Sequence, residues 1–456
     1  MAPAPAGSLL NLRIAGLACG AILVPLNSTM LAVALPSIMG DFDVDARTVA
    51  TLVTIYLGSV VVALPVSGAL GDRFGHRRTF LVGVVGFALA SILAVVTSAF
   101  ALLVASRVLQ AASGSLVSTS SVSLVRAAAR PEARGAAFGF FDMLVSISAA
   151  VGPFLGGILV GAFGWHAIFL IAVPVSAVAA LVIALSSLTD APAAQPRPVD
   201  VPGLLLVALF LGGLLTALLA FGQPAGIAAA VLTPVLFVAF IGYELRSPHP
   251  AVDPRLFARP AYAAAVAGVL GATVVLHASF ILVPLLTERV LLGSAATAGV
   301  VLLALSALSA VSAPLGGRAS DRLGRRAPAV AGGVIMTLGL GAMWLFIPGA
   351  TLLGVGAMLG LVGIGFGLAG SPRQAAALEA VDAGEVGMAA GTYFTGRYFG
   401  GVLGSSLAGV VVGEQVTGAG VSLGFGVLTF VGLAIAIVSV WLPARHAVAV
   451  ASVEHA

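Results

Sequence analysis

Along the chain, long apolar runs alternate with short segments that carry Arg, Asp, Pro or Gly. A helix of about 20 apolar residues spans a hydrocarbon core of about 30 Å, and the runs are near that length. They predict fourteen helices, at 14–36, 47–69, 79–98, 100–123, 135–160, 165–187, 201–221, 228–245, 262–286, 294–316, 328–346, 349–371, 387–412 and 422–441. The run 135–160 is long enough to tilt. The pair 201–221 and 228–245 is parted by GQPAG, a turn signal.

The polar positions then orient the spans. Fourteen crossings return the chain to the side on which it started. Arg73, Arg77, Arg78, Arg126, Arg130, Arg134, Arg197, Arg246, Arg255, Arg259, Arg318, Arg322, Arg325, Arg326 and Arg373 fall on or beside the termini's side, against Arg47 and Arg289 on the other. Cytoplasmic loops collect positive charge, so both termini of this multi-pass chain are expected on the cytoplasmic side of the cell membrane. One helix too many or too few would break the alternation halfway along.

Composition narrows the class. Of 456 residues, 60% are hydrophobic and 8% charged, against about 25% charged in soluble domains. That is too little polar surface to coat a water-exposed body. The 57 Gly and 24 Pro suit closely packed, locally broken membrane helices. All 21 basic residues are Arg and the formal charge is +4, yet their place in short loops reads as topology and not as nucleic-acid binding. A single Cys excludes an internal disulfide and a cysteine metal cluster. No metal or cofactor is expected. MAPAPAGSLLNLR has no basic segment ahead of a small-residue cleavage site, so the first run is expected to be retained.

Two loops repeat. GALGDRFGHRR (68–78) follows the second run and GRASDRLGRRA (317–327) follows the tenth. Gly68, Asp72, Arg73 and Gly75 are matched by Gly317, Asp321, Arg322 and Gly324 at a constant offset of 249. Two halves of similar design follow, with the seventh and eighth helices inserted between them. In such a loop glycines let helix ends approach, and Asp and Arg, with Arg77, pin a turn and pair with a neighbouring helix, a latch that biases a two-state equilibrium. A plain positive topology anchor is the other reading.

Further stretches carry a family likeness. The loop GALGDRFGHRR, Arg107-Val108-Leu109-Gln110 with Gly114, Gly152-Pro153-Phe154-Leu155-Gly156-Gly157, and NSTMLAVALPSI (27–38) resemble four signatures of the major facilitator superfamily, in its fourteen-helix drug/proton antiporter branch. The resemblance implies an all-α integral membrane fold of two pseudo-symmetric six-helix bundles, 1–190 and 261–456, with two inserted helices in 191–260. It also implies alternating access around a central cavity and a transporter, not an enzyme. The expected substrate is a small hydrophobic or cationic compound exported against inward protons. A facilitator or symporter of a small metabolite on the same fold is the alternative. One chain holds both halves, so a functional monomer in the lipid bilayer is expected.

Within the spans, ionisable groups are costly and mark candidate function. Asn27 stands where the branch carries an acid; an amide cannot carry a proton, so substrate hydrogen bonding or packing remains. Asp142, well inside the fifth run, is a candidate proton site or cation-attracting group, or a latch partner for a nearby Arg. Arg107, with Gln110, is a candidate for coupling or substrate contact, against an internal polar tie. Arg397 in the thirteenth run and His277 in the ninth are candidates against a packing role. Gly152, Pro153, Gly156 and Gly157 predict a bent, closely packed helix, which in the family limits leak. Glu288 and Glu414 are expected to border the outer entrance, and Asp41, Asp43 and Asp45 to give the first outer loop a negative field.

Overall fold

The computed structural model describes residues 15–128, 134–186, 200–219, 223–248, 250, 253–349, 351–381, 386–412 and 416–444. Among them stand fourteen helices: α1 (Ala15–Asp41), α2 (Ala46–Phe74), α3 (His76–Val96), α4 (Phe100–Ala128), α5 (Arg134–Phe163), α6 (Ala167–Leu185), α7 (Val201–Leu219), α8 (Pro224–Glu244), α9 (Pro260–Leu285), α10 (Ala295–Leu323), α11 (Arg326–Phe346), α12 (Leu352–Glu379), α13 (Val386–Val412) and α14 (Gly418–Val438). Eleven are long and apolar enough to cross a membrane by length and composition alone. No strand occurs among the described residues. This is the all-α, fourteen-helix fold that the apolar runs predict.

Local chemistry sets the helix ends. The face away from the arginine-rich loops, the outer face hereafter, is where α2, α10, α12 and α14 begin. Each begins on a side-chain cap: Asp45 accepts from Thr48 N at 2.6 Å, Ser294 from Thr297 N at 3.2 Å, Thr351 from Gly354 N at 3.2 Å and Thr417 from Gly420 N at 3.1 Å. Such caps satisfy amides that the first turn leaves free. Asp41 accepts from the Trp165 indole at 2.6 Å. Two of the three outer-loop carboxylates therefore have structural duties beyond the field expected of them.

At the opposite, arginine-rich face the helices outrun the apolar runs. α2 ends at 74 against a predicted 69, and α10 at 323 against 316. The repeated segments from Gly68 and Gly317 are thus helical, and the turn is Gly75 (φ 90°) alone in the first copy and Gly324 (φ 83°) with Arg325 in the second. Only glycine takes that backbone region without cost. Each donates its N–H back into the helix it ends, to Gly71 O at 2.9 Å and Ser320 O at 3.1 Å. Charge did not end these helices because their last turns project beyond the apolar core.

Helices α1–α6 pack among themselves, as do α9–α14, and the two sets meet through α5 against α10, α2 against α13 and α1 against α9. α7 and α8 pair with each other, through Phe210 and Phe237 among others, and α7 leans on α2. Their remaining surface is apolar and exposed, as at Val231, Val235 and Val238, which suits lipid contact.

The two sets meet most closely at the outer face. Thr54 of α2 donates to Ser405 of α13 at 2.8 Å, and Arg289, beyond α9, donates to Pro36 O of α1 at 3.0 Å. A Cβ on Gly299 of α10 would stand 2.6 Å from Pro153 O of α5, and one on Gly157 would stand 2.8 Å from Ala295 O. At the arginine-rich face a Cβ on Gly68 or Gly317 would meet nothing within 4 Å. The close approach expected of those two glycines is not made in this conformation, which is shut at the outer face.

Candidate functional site

Arg107 lies seven residues into α4, about 10 Å from its outer end, and is fully buried. Its Nη1 donates to Asn27 Oδ1 and, at 2.7 Å, to Gln110 Oε1. Gln110 passes the chain on, donating from Nε2 to Ser91 Oγ at 2.8 Å. Asn27 donates to Ile168 O at 3.4 Å, tying α1 to α6. The guanidinium carbon sits 4.0 Å from the Tyr56 ring centroid and 5.9 Å from that of Phe169, within cation–π range of both. The structure thus brings Asn27, Arg107 and Gln110 together across α1 and α4, with α2, α3 and α6 closing around them. The partners on which the charge rests are neutral, and Nε and Nη2 keep no hydrogen-bond partner.

A second group gathers on α9, α12 and α13. Arg397, eleven residues into α13, is exposed. A guanidinium facing hydrocarbon at that depth would be costly. His277, Tyr393 and Tyr398 stand within its electrostatic reach. His277 Nδ1 donates to Thr273 O at 3.1 Å, which leaves Nε2 as the acceptor in the neutral ring. The same Tyr393 stands within reach of Arg373, which is 1% exposed with Nε and Nη2 unpartnered. Arg373 was expected at a loop edge. It lies inside α12, because that helix runs on through Pro372 to Glu379. Gly268 of α9 makes room for it: a Cβ there would stand 3.0 Å from Arg373 Cδ and Nε.

The repeated segments differ in their partners. Arg73 and Arg322 are exposed, and Arg73 lies 5.4 Å over the Phe74 ring. Arg77 donates to Ala184 O at 2.9 Å, closing the end of α6. Its counterpart at the offset of 249, Arg326, donates to Leu442 O at 2.9 Å, just past α14. Each half therefore ties the start of its third helix to the end of its sixth. Arg325 adds a clasp in the second half, to Glu379 at 2.5 and 3.1 Å and to Asp321 at 3.1 Å. The hydrogen-bonded Glu379 carboxylate raises the Arg325 pKa and keeps it charged. Arg326, Arg325, Glu379 and Arg373 were absent from the sequence candidates; the first was legible as one more match at the same offset.

On α5, Gly152, Pro153, Gly156 and Gly157 are all buried. Gly156 packs on α1, where a Cβ would stand 2.8 Å from Val33 Cγ2, while Gly157 faces α10. One turn thus serves both sets of helices. Glu288 lies in a π-helical turn just past α9, half-buried. The side chains of Asp72 and Asp142, and Glu414 altogether, lie outside the described residues.

The family model described as Major Facilitator Superfamily matches residues 17–405 and 268–455. The chain belongs to the major facilitator superfamily. Among its relatives in this superfamily, the tetracenomycin C resistance and export protein of Streptomyces glaucescens is 35% identical over 417 residues, 88% of this chain and 75% of that one. The MFS-type transporter YwoD of Bacillus subtilis is 32% identical over 89% of this chain and 91% of its own. The multidrug resistance protein Stp of Mycobacterium tuberculosis is 31% identical over 89% and 76%. The fold is also that of a crystallised peptide transporter POT in complex with sulfate, with TM-score 0.72 over 94% of this chain and 93% of that one at 16% identity. A major facilitator fold spanning nearly the whole chain, with no enzyme chemistry required of it, makes this a multi-pass membrane protein with a secondary transport function for a small molecule.

Proposed function

We propose that this chain moves a small metabolite across the cell membrane by alternating access, as a facilitator or symporter. The carrying observation is the neutral surrounding of Arg107: Asn27, Gln110 and Ser91 supply its network where a proton-coupled carrier needs a group that titrates. In the cycle, residues 1–190 and 261–456 rock as two bundles around a midplane site, with 191–260 riding on the first. The arginine-rich face and both termini are cytoplasmic, so the conformation closed by Thr54–Ser405 and Gly157–Gly299 is the inward-facing one. The repeated segments, with Gly68, Asp72, Arg73 and Gly75 on α2 and Gly317, Asp321, Arg322 and Gly324 on α10, latch the opposite conformation, in which their ends meet. The monomer carries the whole cycle.

Proton-coupled export of a hydrophobic or cationic compound, as in the drug/proton antiporter branch, is the second reading. The relatives named for tetracenomycin C export and multidrug resistance favour it. Flux in proteoliposomes with and without an imposed pH gradient separates the two. Substrate that equilibrates without regard to the gradient supports the facilitator. Uphill movement with counter-directed proton flux supports the antiporter and makes Asp142 its carrier.

A further inference from the structure

We propose that α9, α12 and α13 build a site for the carboxylate group of an organic substrate, with Arg397 as the binding cation and Arg373 as the positioning cation behind it. The inference rests on the transport reading for its purpose, and the geometry stands apart from that reading. Arg397 is eleven residues into α13, about 16 Å from the helix start, and Arg373 touches α9 at Gly268, about 12 Å from that helix's start at the same face. The two guanidiniums therefore sit at neighbouring depths, with buried Tyr393 within electrostatic reach of both. Arg397 has no hydrogen bond or ion pair among the described residues, and Arg373 leaves two N–H groups unmet.

Charge balance chooses the ligand. The carboxylate nearest along α12, Glu379, is already held by Arg325. Among the described side chains, no Asp or Glu stands between the ends of α9, α12 or α13. Two cations at this depth with no counter-ion are unfavourable, and an arriving anion relieves both at once. A guanidinium meets a carboxylate through two parallel hydrogen bonds. A carboxylate brings one charge to desolvate where a phosphate brings nearly two, which favours it against Tyr393, Tyr398 and His277. Arg397 is exposed and makes the contact. Arg373 is buried and acts through the field and through Tyr393.

The test uses the full chain in lipid nanodiscs with benzoate, its uncharged isostere benzamide and the tetraphenylphosphonium cation, read by calorimetric titration up to about 50 mM. The expected result is benzoate binding in the millimolar range with benzamide and the cation at least about tenfold weaker. Arg397→Gln should weaken benzoate about tenfold or more, with Arg397→Lys between the two. Arg373→Met should weaken it several-fold, and Arg373→Lys should restore most of the loss, a rescue that a packing role would not give. Monodisperse Arg397→Lys keeps the result readable if Arg397→Gln does not fold. Absence of benzoate binding, preference for the cation, or unchanged affinity in Arg397→Gln would each overturn the site. Saturable flux of the phosphonium in liposomes would leave the transport reading standing while removing this one. Benzoate binding with the stated pattern but no flux of any probe would do the reverse.

Discussion

Two arginines are buried in homologous helices, and the molecule treats them differently. Arg107 in α4 is held by two amides and stacked on Tyr56, whereas Arg373 in α12 has no hydrogen bond or ring contact among the described residues and lies beside a glycine and a tyrosine; both leave Nε and Nη2 open. Both are almost inaccessible, at 0% and 1% exposure. The difference shows that burial alone does not say what a charge is for. A cation woven into amides and aromatic faces is part of the framework that joins α1, α4 and α6. One left short of partners holds free energy that a ligand can release.

Removing Arg107 should have the largest effect. Arg107→Leu strands Asn27 Oδ1 and Gln110 Oε1 in the interior, at about 1–3 kcal/mol each, partly offset by no longer burying a charge. A net loss of about 3 kcal/mol is expected, measured as reversible unfolding in mixed micelles. Arg373→Leu should move the other way, by about 1–2 kcal/mol towards greater stability, because no partner is stranded and an unmatched charge is gone. Equal losses for the two would erase the distinction between them.

A third variant sharpens the comparison on the Arg107 side. Asn27→Asp replaces a neutral acceptor by a charged one, and a charge-assisted hydrogen bond contributes about 1 kcal/mol more than a neutral one. It also supplies a group that takes up protons. Asp cannot donate to Ile168 O as Asn27 does, a loss of about 1 kcal/mol that offsets the gain, so stability at neutral pH should stay nearly unchanged while flux acquires a dependence on the pH gradient. Gradient-driven flux already present with Asn27 would favour the antiporter.

Much of this was legible in the sequence, for definite reasons. Each helix is seen as an apolar run because hydrocarbon tolerates little else, and the repeat is seen because Gly75 and Gly324 need the same positive φ. Arg107 stood out as an ionisable group inside a run, and Asn27 and Gln110 through their places in the family-like stretches. Arg373 did not. Ser371-Pro372-Arg373-Gln374 reads as the edge of a loop by hydropathy, although the Ala-Ala-Ala-Leu-Glu that follows favours helix and keeps α12 going to Glu379. The clasp of Arg325 on Glu379 was hidden for a related reason: both lie outside the apolar runs, 54 residues apart in sequence. Pairings of that kind are set by how α10–α12 pack, which periodicity does not encode.

The smallest expected effect concerns the contact that holds the outer face closed. Thr54 donates to Ser405 where α2 meets α13 at the closed face, beside a void of about 10 Å³ lined also by Arg47, Thr51 and Ser406. That void is near the size of one water, and Ser406 Oγ is buried without a partner. Thr54→Val keeps the shape of the side chain and removes the donor, which weakens the closed face by about 1 kcal/mol. A change of that size moves a two-state population about fivefold towards the state open at the outer face. Spin labels at Phe74 and Leu323, exposed at the far ends of α2 and α10, should report a larger short-distance population. Arg107 lies within one set of helices and should keep its bonds in both states, so Arg107→Leu should cost the same stability with or without Thr54→Val. Arg397 is exposed on α13, which packs against α2 at the face that opens, and Arg373 acts behind it, so benzoate affinity should shift with Thr54→Val. If instead the Arg107→Leu cost changed and benzoate affinity did not, the framework charge and the working charge would have been assigned the wrong way round.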